Sequence, residues 1–135
     1  MRYLITVTLI ILVCSVFAQN KETIVRNQVK LKRSLEQDID QGEKNLLLEK
    51  EEYFTPNGNL TELKEFDEKG RIKKWERYQY TSKGQLAQEE ILNYKGEVKK
   101  RIEHVYQDGL KVGKLYYDDR NRLYKKKRYE FEYQE

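Results

Sequence analysis

A short motif that recurs every 12 to 14 residues constrains the fold more than any other feature of this chain. Each copy has an aromatic residue or leucine, three polar or turn-forming residues, glycine or asparagine, one polar residue and an aliphatic residue. The copies are FTPNGNL (54–60), FDEKGRI (66–72), YTSKGQL (80–86), LNYKGEV (92–98) and YDDRNRL (117–123). The marker positions, which include one further glycine, are Gly58, Gly70, Gly84, Gly96, Gly109 and Asn121. A spacing this short and regular is typical of successive β-hairpins.

The marker residue occupies the position in a tight hairpin loop that needs a positive φ angle. In a three-residue loop, a type I turn is followed by a left-handed residue that forms a G1 bulge, and glycine and asparagine tolerate that conformation best. The residues at the two ends of each copy then pair across the turn. The expected pairs are Phe54–Leu60, Phe66–Ile72, Tyr80–Leu86, Leu92–Val98 and Tyr117–Leu123.

The hairpins predict an all-β fold, an antiparallel meander of about seven to eight strands joined by short Gly/Asn turns. Strands are expected near 45–54, 60–66, 72–80, 86–92, 98–106, 110–117 and 123–133. Residues 25–36 are predicted to form another strand, closed by a hairpin over Gly42, although their apolar spacing also fits a helix. In that hairpin Arg33 would face Glu49 and Lys30 would face Glu52.

Extending the pairing of each turn along the strands predicts which side chains share a face. Trp75 would lie between Leu63 and Ile91 in an apolar row, and His104 would face Val112. The middle of most strands is charged on both faces, whereas a two-layer sandwich needs one uniformly apolar face. The sequence therefore predicts a single twisted or curled sheet, and it leaves open whether that sheet closes into a small barrel.

Residues 1–18 have the features of a cleavable secretory signal peptide. Arg2 is followed by an uncharged apolar segment, and Ala18 ends an A-x-A-like cleavage site. The apolar segment is short for a membrane span, which needs about 20 residues. A retained N-terminal anchor and lipidation of Cys14 are the two alternatives to a cleaved signal peptide. We therefore expect a protein exported to the periplasm, the cell surface or the medium. Its expected parts are a signal peptide 1–18, a short linker 19–24 and a β-repeat domain 25–135.

The segments FDEKGRI, YTSKGQL and YDDRNRL resemble the YD repeat of Rhs-type proteins, whose core reads Tyr-Asp-x-x-Gly-Arg-Leu. The resemblance covers residues 54–133 and implies a β-hairpin repeat of the kind found in small secreted bacterial proteins. In large Rhs proteins such repeats wind into a shell around a toxin, and this chain is far too short for that. The chain also resembles, more weakly, MORN-type repeat proteins through Gly109 and Gly113.

The sequence contains no group of side chains arranged for catalysis. His104 is the only histidine, and a metal site needs several ligands. Neighbouring carboxylates such as Glu89 and Glu90 point to opposite faces of a strand. The acidic turn 118–121 lacks the ligand series of a calcium-binding loop. We therefore expect a protein that is not an enzyme and that uses no cofactor and no metal.

Aromatic residues are the candidates for binding a partner. Trp75, Tyr78 and Leu63 lie in the middle of strands and are the residues predicted to contact a protein or a glycan.

Positive and negative charges are nearly balanced, at 27 Lys and Arg against 23 Asp and Glu. The basic run 125–128 would divide between the two faces of a strand, so we expect no nucleic-acid partner.

The sequence supports more than one function. The first is an exported, non-catalytic interaction module of the periplasm or cell surface that binds a protein or glycan through one sheet face. The second is a structural role in which edge strands pair with a partner or with other copies of the chain. Alternation of Tyr129, Phe131 and Tyr133 with polar residues predicts such an edge. An antitoxin or immunity role rests on fold analogy alone.

Overall fold

The computed structural model describes residues 21–37, 39 and 46–134. Within these residues the chain forms one eight-stranded antiparallel sheet, in which the strands follow each other in sequence order. The strands are β1 (Leu31–Gln37), β2 (Leu46–Phe54), β3 (Leu60–Phe66), β4 (Ile72–Tyr80), β5 (Leu86–Leu92), β6 (Val98–Gln107), β7 (Leu110–Tyr117) and β8 (Leu123–Arg128). β1 and β8 are the two edges and do not pair with each other, so the sheet stays open. The predicted all-β meander is confirmed. The predicted signal peptide 1–18 and the turn over Gly42 lie outside the described residues.

Five of the turns share one hydrogen-bonded structure, in which the first turn residue supplies a side-chain acceptor. In the turn after β3, the N–H of Gly70 donates to the Asp67 carbonyl at 2.9 Å. The Asp67 carboxylate accepts hydrogen bonds from the N–H groups of Lys69 and Arg71, each at 2.9 Å. Thr55, Thr81, Asn93 and Asp118 occupy the same position in the other four turns.

The marker residues of these five turns have φ angles between +59° and +81°, the left-handed conformation that glycine and asparagine tolerate. The five residue pairs expected across the turns are all present in the sheet. The turn between β6 and β7 differs, because Gln107 pairs with Leu110 and leaves a two-residue loop. Asp108 and Gly109 have φ angles of 51° and 80° in that loop. Two successive left-handed residues are typical of a type I′ turn.

Every hairpin contains one extra, unpaired residue on the strand that follows the turn. Phe66 pairs with Ile72, but the next pair is Glu65 with Lys74, so Lys73 has no residue opposite it. The extra residues of the other hairpins are Glu49, Thr61, Ala87, Lys99, Val112 and Tyr124. A β-bulge of this kind shifts all further pairs by one residue and exchanges the faces on which their side chains lie.

The apolar row predicted around Trp75 is wrong because of these bulges. Trp75 pairs with Lys64. Its neighbour Glu76 is the residue that lies between Leu63 and Ile91. The prediction extended the pairing of each turn along the strands without the extra residue. The resulting error is a single position, but in a strand that error moves a side chain to the opposite face.

The first strand begins later than predicted. Residues 21–26 are helical and β1 starts at Leu31, so the predicted strand 25–36 is wrong in its first part. Arg33 pairs with Glu51, two residues from the predicted Glu49. The prediction of Glu52 as the partner of Lys30 is also wrong, because Glu52 pairs with Lys32. The pairing of β1 with β2 differs from the predicted register by one residue at the turn, where Gln37 pairs with Leu46. The bulge at Glu49 adds a second residue to this difference for the rest of the two strands.

The helical segment 21–26 packs against the first turn of the sheet. The Lys21 ammonium donates a hydrogen bond to the Asn59 side-chain oxygen at 2.9 Å. A methyl group of Val25 lies 2.9 Å from the position that a Cβ atom on Gly58 would occupy. The Phe54 N–H donates to the Lys30 carbonyl at 3.0 Å, which joins the segment to β2.

The sheet has one layer and a thin core. Leu92 and Ile102, with exposed fractions of 6% and 8%, are the buried apolar residues of the described ranges. All six residues of β8 are exposed. β8 ends at Arg128, so the edge strand predicted to run to residue 133 is shorter than expected. Tyr129, Phe131 and Tyr133, which were predicted to alternate along this edge strand, lie after β8 in residues without regular secondary structure. The Tyr129 N–H donates a hydrogen bond to the Val112 carbonyl at 2.9 Å.

Candidate interaction surfaces

The sheet presents two faces, which we name after one residue on each. The tryptophan face carries Glu62, Lys64, Trp75, Arg77, Glu90, Arg101, Glu103 and Tyr117. The histidine face carries Leu63, Glu76, Tyr78, Glu89, Ile91, Ile102, His104, Lys114 and Tyr116. The three predicted binding residues are therefore separated. Trp75 lies on one face, and Leu63 and Tyr78 lie on the other.

Trp75 is half-buried, and other side chains already occupy much of its surface. The Lys64 ammonium lies 4.5 Å and the Arg77 guanidinium 5.3 Å from the centre of the indole. The indole N–H donates a 2.6 Å hydrogen bond to the Glu62 carboxylate. The edge of the ring lies against the next turn, 3.1 Å from the position of a Cβ atom on Gly96. A ligand that stacked on this ring would have to displace one of the two cations.

The tryptophan face repeats one arrangement three times, in which an aromatic side chain donates a hydrogen bond to a glutamate that is also paired with an arginine. The three sets are Tyr53–Glu51–Arg33, Trp75–Glu62–Arg77 and Tyr117–Glu103–Arg101. Partial burial, together with the hydrogen bond to Glu51, raises the pKa of the Tyr53 hydroxyl. Because each of the three arginines pairs with a glutamate, its positive charge is already neutralised within the sheet.

On the histidine face, Tyr78 donates a hydrogen bond to the carboxylate of Glu76. Glu76 also pairs with Lys74 at 3.3 Å. Burial raises the pKa of the Tyr78 hydroxyl, and the charges of Glu76 and Glu89 raise it further. Leu63 is half-buried between Glu52 and Glu76. Neither Tyr78 nor Leu63 forms a projecting apolar contact point on this face.

His104 is the most deeply buried polar side chain of the described ranges, at 1% exposed. It pairs with Lys114, not with the predicted Val112, because Val112 is itself a bulge residue. Its Nε2 atom lies 3.5 Å from a Glu89 oxygen, beyond good hydrogen-bond distance. Burial lowers the pKa of the imidazole, and the charges of Lys111 and Lys114 lower it further, against the opposing effect of Glu89.

The turn carboxylates hold their own loops. Asp118 accepts hydrogen bonds from the N–H groups of Arg120 and Arg122 at 3.0 and 2.9 Å. Its second oxygen pairs with the Arg122 guanidinium at 2.8 Å. The hydrogen bonds from Arg122 lower the pKa of Asp118.

Among residues 21–37, 39 and 46–134, no group of three or more histidine, cysteine or acidic side chains is placed to hold a metal ion.

Four lysines surround one tyrosine at the C-terminal end of the histidine face. We call this group, Lys100, Lys114, Lys125 and Lys127 with Tyr116 at its centre, the lysine patch. The Lys100 and Lys125 ammonium groups lie 5.3 and 5.1 Å from the centre of the Tyr116 ring. Lys114 and Lys127 face each other directly across β7 and β8. The sequence alone does not reveal this patch, because its lysines come from three strands.

An apolar cleft of ≈ 540 Å³ lies between the helical segment 21–26 and the end of β2. Its walls include Ile24, Val25, Val29, Phe54 and Pro56. This cleft also was not predicted, because the sequence placed residues 25–36 in a strand. Its apolar side chains attach the helical segment to the sheet.

The chain matches no protein-family model. It also matches no curated protein. In the part of the chain that the structure describes, no helix has the length and apolar character that a membrane crossing requires.

Proposed function

We propose that this chain is an exported, non-catalytic interaction module of the periplasm or cell surface that binds a protein or a glycan through one face of its sheet. The observation that carries the proposal is the single-layer sheet itself. Both faces are open and rich in polar, charged and aromatic side chains, and only a few described residues are buried. A scaffold of this kind offers a broad surface for recognition.

Two further parts of the proposal rest on the sequence. Residues 1–18 support export, because they combine a basic start, an apolar segment and a small-residue cleavage site. Five turns with one shared structure support a repeat of the YD type. In each of them the marker residue is left-handed and the first turn residue accepts backbone hydrogen bonds.

The proposal can be tested with residues 19–135 on a panel of cell-envelope glycans, followed by affinity measurements in solution. Lys125 and Lys126 provide a matched pair of variants, since both are exposed, adjacent and on opposite faces of β8. Lys125→Glu and Lys126→Glu should have different effects, with affinity lost in only one of them. Equal loss in both variants would contradict binding through one face, and the absence of any ligand on the panel would contradict a glycan as the partner.

A second function, assembly through edge strands, is favoured by the two open edges of the sheet. Exposed apolar residues lie near the β1 edge, with Leu35 55% and Leu46 59% exposed. The β8 edge carries three consecutive lysines, which oppose pairing with another strand. Assembly would therefore use β1, and Leu35→Lys would abolish it. Sedimentation over a range of concentrations tests this, and a monomer at every concentration would refute the assembly function.

A further inference from the structure

We propose that the lysine patch binds an acidic polysaccharide whose sugars carry carboxylate groups. The inference rests on the proposed function, and it names the ligand class and the part of the histidine face that takes it. The patch brings Lys100 from β6, Lys114 from β7, and Lys125 and Lys127 from β8 to one surface. Adjacent strands lie about 4.8 Å apart, so the lysines span about 10 Å across the sheet.

The lysines of the lysine patch are not paired with carboxylates. Among the residues that the structure describes, no carboxylate forms an ion pair with Lys100, Lys114, Lys125 or Lys127. Elsewhere on the same face, Lys32 and Lys50 share the Glu52 carboxylate and Lys74 pairs with Glu76. On the histidine face, the lysines near β1 are therefore paired with carboxylates, and those of the lysine patch are not.

The arrangement of the lysines is unfavourable without a ligand. Lys114 and Lys127 are directly opposite each other in the ladder, and like charges at such positions repel. Lys125 lies two residues before Lys127 on the same face of β8. An anionic chain laid across the strands would relieve this repulsion, and charge complementarity would also speed its association.

Two tyrosines favour a polysaccharide over other polyanions. Tyr124 is 54% exposed, and its ring centre lies 6.3 Å from that of Tyr116 at an angle of 56°. Tyr124 is the bulge residue of β8, and bulges re-aim side chains in this way. The exposed ring offers an amphipathic surface beside the charges, which suits a sugar ring that carries a carboxylate.

The composition of the lysine patch argues against the competing classes of ligand. It contains lysines and no arginine, the residue that recognises phosphate groups in a bidentate manner. The patch as defined also contains no aliphatic side chain, the kind of group whose insertion among lipid tails strengthens the binding of peripheral proteins to membranes. Export, as proposed above, separates the chain from cytoplasmic nucleic acid.

The test uses residues 19–135 and alginate, a polyuronate, as the probe, with isothermal titration calorimetry at several salt concentrations. Binding should weaken as salt increases, because counterions compete for the lysines. The double variant Lys114→Gln/Lys127→Gln should lower affinity about tenfold or more, since it removes two of four charges. The matched control is Lys73→Gln/Lys126→Gln, which removes two exposed lysines outside the patch and should change affinity less than about twofold. Circular dichroism confirms that both variants fold.

Three further probes separate the classes of ligand: oligo-dT, polyglutamate and vesicles containing phosphatidylglycerol. Weaker binding to all three than to alginate supports the inference, and equal or tighter binding to any one overturns it. Equal loss of alginate binding in the two double variants would also overturn it. If no polyanion binds while a ligand of the glycan panel binds through the tryptophan face, this inference fails and the proposed function stands. If nothing binds, this inference fails together with the glycan part of the proposed function.

Discussion

Alanine substitution at two equivalent turn positions separates the backbone cost of a turn from its side-chain packing. Gly70 and Gly96 both occupy the left-handed position of the same turn structure, with φ angles of +73° and +81°. Around Gly70 nothing lies within 4 Å of an added Cβ atom. At Gly96 the added atom would lie 3.1 and 3.2 Å from two ring carbons of Trp75. The two variants therefore differ mainly in the contact with the indole.

The expected losses of stability follow from these distances. Gly70→Ala should lower the free energy of unfolding by about 1–2 kcal/mol, the cost of a left-handed alanine. Gly96→Ala adds an overpacked contact, which typically costs about 1–3 kcal/mol more. Urea denaturation followed by far-ultraviolet circular dichroism measures both. The emission maximum of Trp75, the only tryptophan, should shift in Gly96→Ala and stay unchanged in Gly70→Ala.

Equal losses in the two variants, with unchanged Trp75 emission in both, would refute the packing of the indole against the next turn. No loss in either variant would refute the left-handed turn itself. Gly84→Ala serves as a second control, because Gly84 has a φ angle of +78° and likewise nothing within 4 Å. It should behave like Gly70→Ala.

Three other predictions test separate parts of the sheet. Gly113→Ala should release β8, because the added Cβ atom would lie 2.5 Å from the Lys127 carbonyl oxygen; faster amide hydrogen exchange in β8 than in the unsubstituted protein, with β4 unchanged, would show it. Lowering the pH from about 7.5 to about 5.5 should lower the free energy of unfolding through His104, whose pKa burial lowers. The unfolded chain binds the proton first as pH falls, so this stability is present above the ordinary histidine pKa and is lost below it; urea denaturation at each pH measures it. Acrylamide should quench Trp75 less than free N-acetyltryptophanamide, because two cations and a turn cover much of the ring.

Each of these predictions has an outcome that contradicts it. If amide hydrogen exchange in β8 is unchanged in the Gly113→Ala variant, the close approach of β7 and β8 at Gly113 is contradicted. His104→Leu should lose most of the pH dependence between about 7.5 and 5.5, and an unchanged dependence would assign it to other groups. Quenching of Trp75 equal to that of the free compound would place the indole in water.

The sequence was sufficient to predict the hairpins, because the properties that define them are local. A residue such as Gly70 is needed where φ is positive, and its neighbours Phe66 and Ile72 pair across the turn because of the loop length. The order of strands then follows from the short connections. The hairpins and the strand order therefore follow from the local sequence, without information on contacts between residues distant in the chain.

The faces of the sheet could not be predicted in the same way. One unpaired residue, such as Lys73, moves Trp75 from the predicted position opposite Leu63 to a position opposite Lys64. The extra residue lies just beyond the closing pair of the turn, outside the residues that define the motif, so the motif does not reveal it. That single shift moves Leu63 away from Trp75 and onto the face of Tyr78. Trp75 and Tyr78 are three residues apart on β4, so they lie on opposite faces in either register.

The lysine patch was missed for a related reason. Residues 125–128 form one basic run in the sequence, and in β8 they divide between the two faces as predicted. Lys100 and Lys114 are distant in sequence, and only the β6–β7 and β7–β8 pairings bring them beside Lys125 and Lys127. A basic surface in a sheet is assembled across strands, so a run along the sequence is a poor measure of it.

The two faces differ in what a ligand would have to break. On the tryptophan face, the Arg77 and Arg101 guanidinium groups already pair with glutamates and lie over aromatic rings. Binding there would replace existing contacts, and the net gain would be small. In the lysine patch no ion pair has to be broken, and a repulsive pair, Lys114 and Lys127, is relieved. If the lysine patch is a binding site as proposed, the feature that distinguishes it from the tryptophan face is that its cations are not already paired with carboxylates.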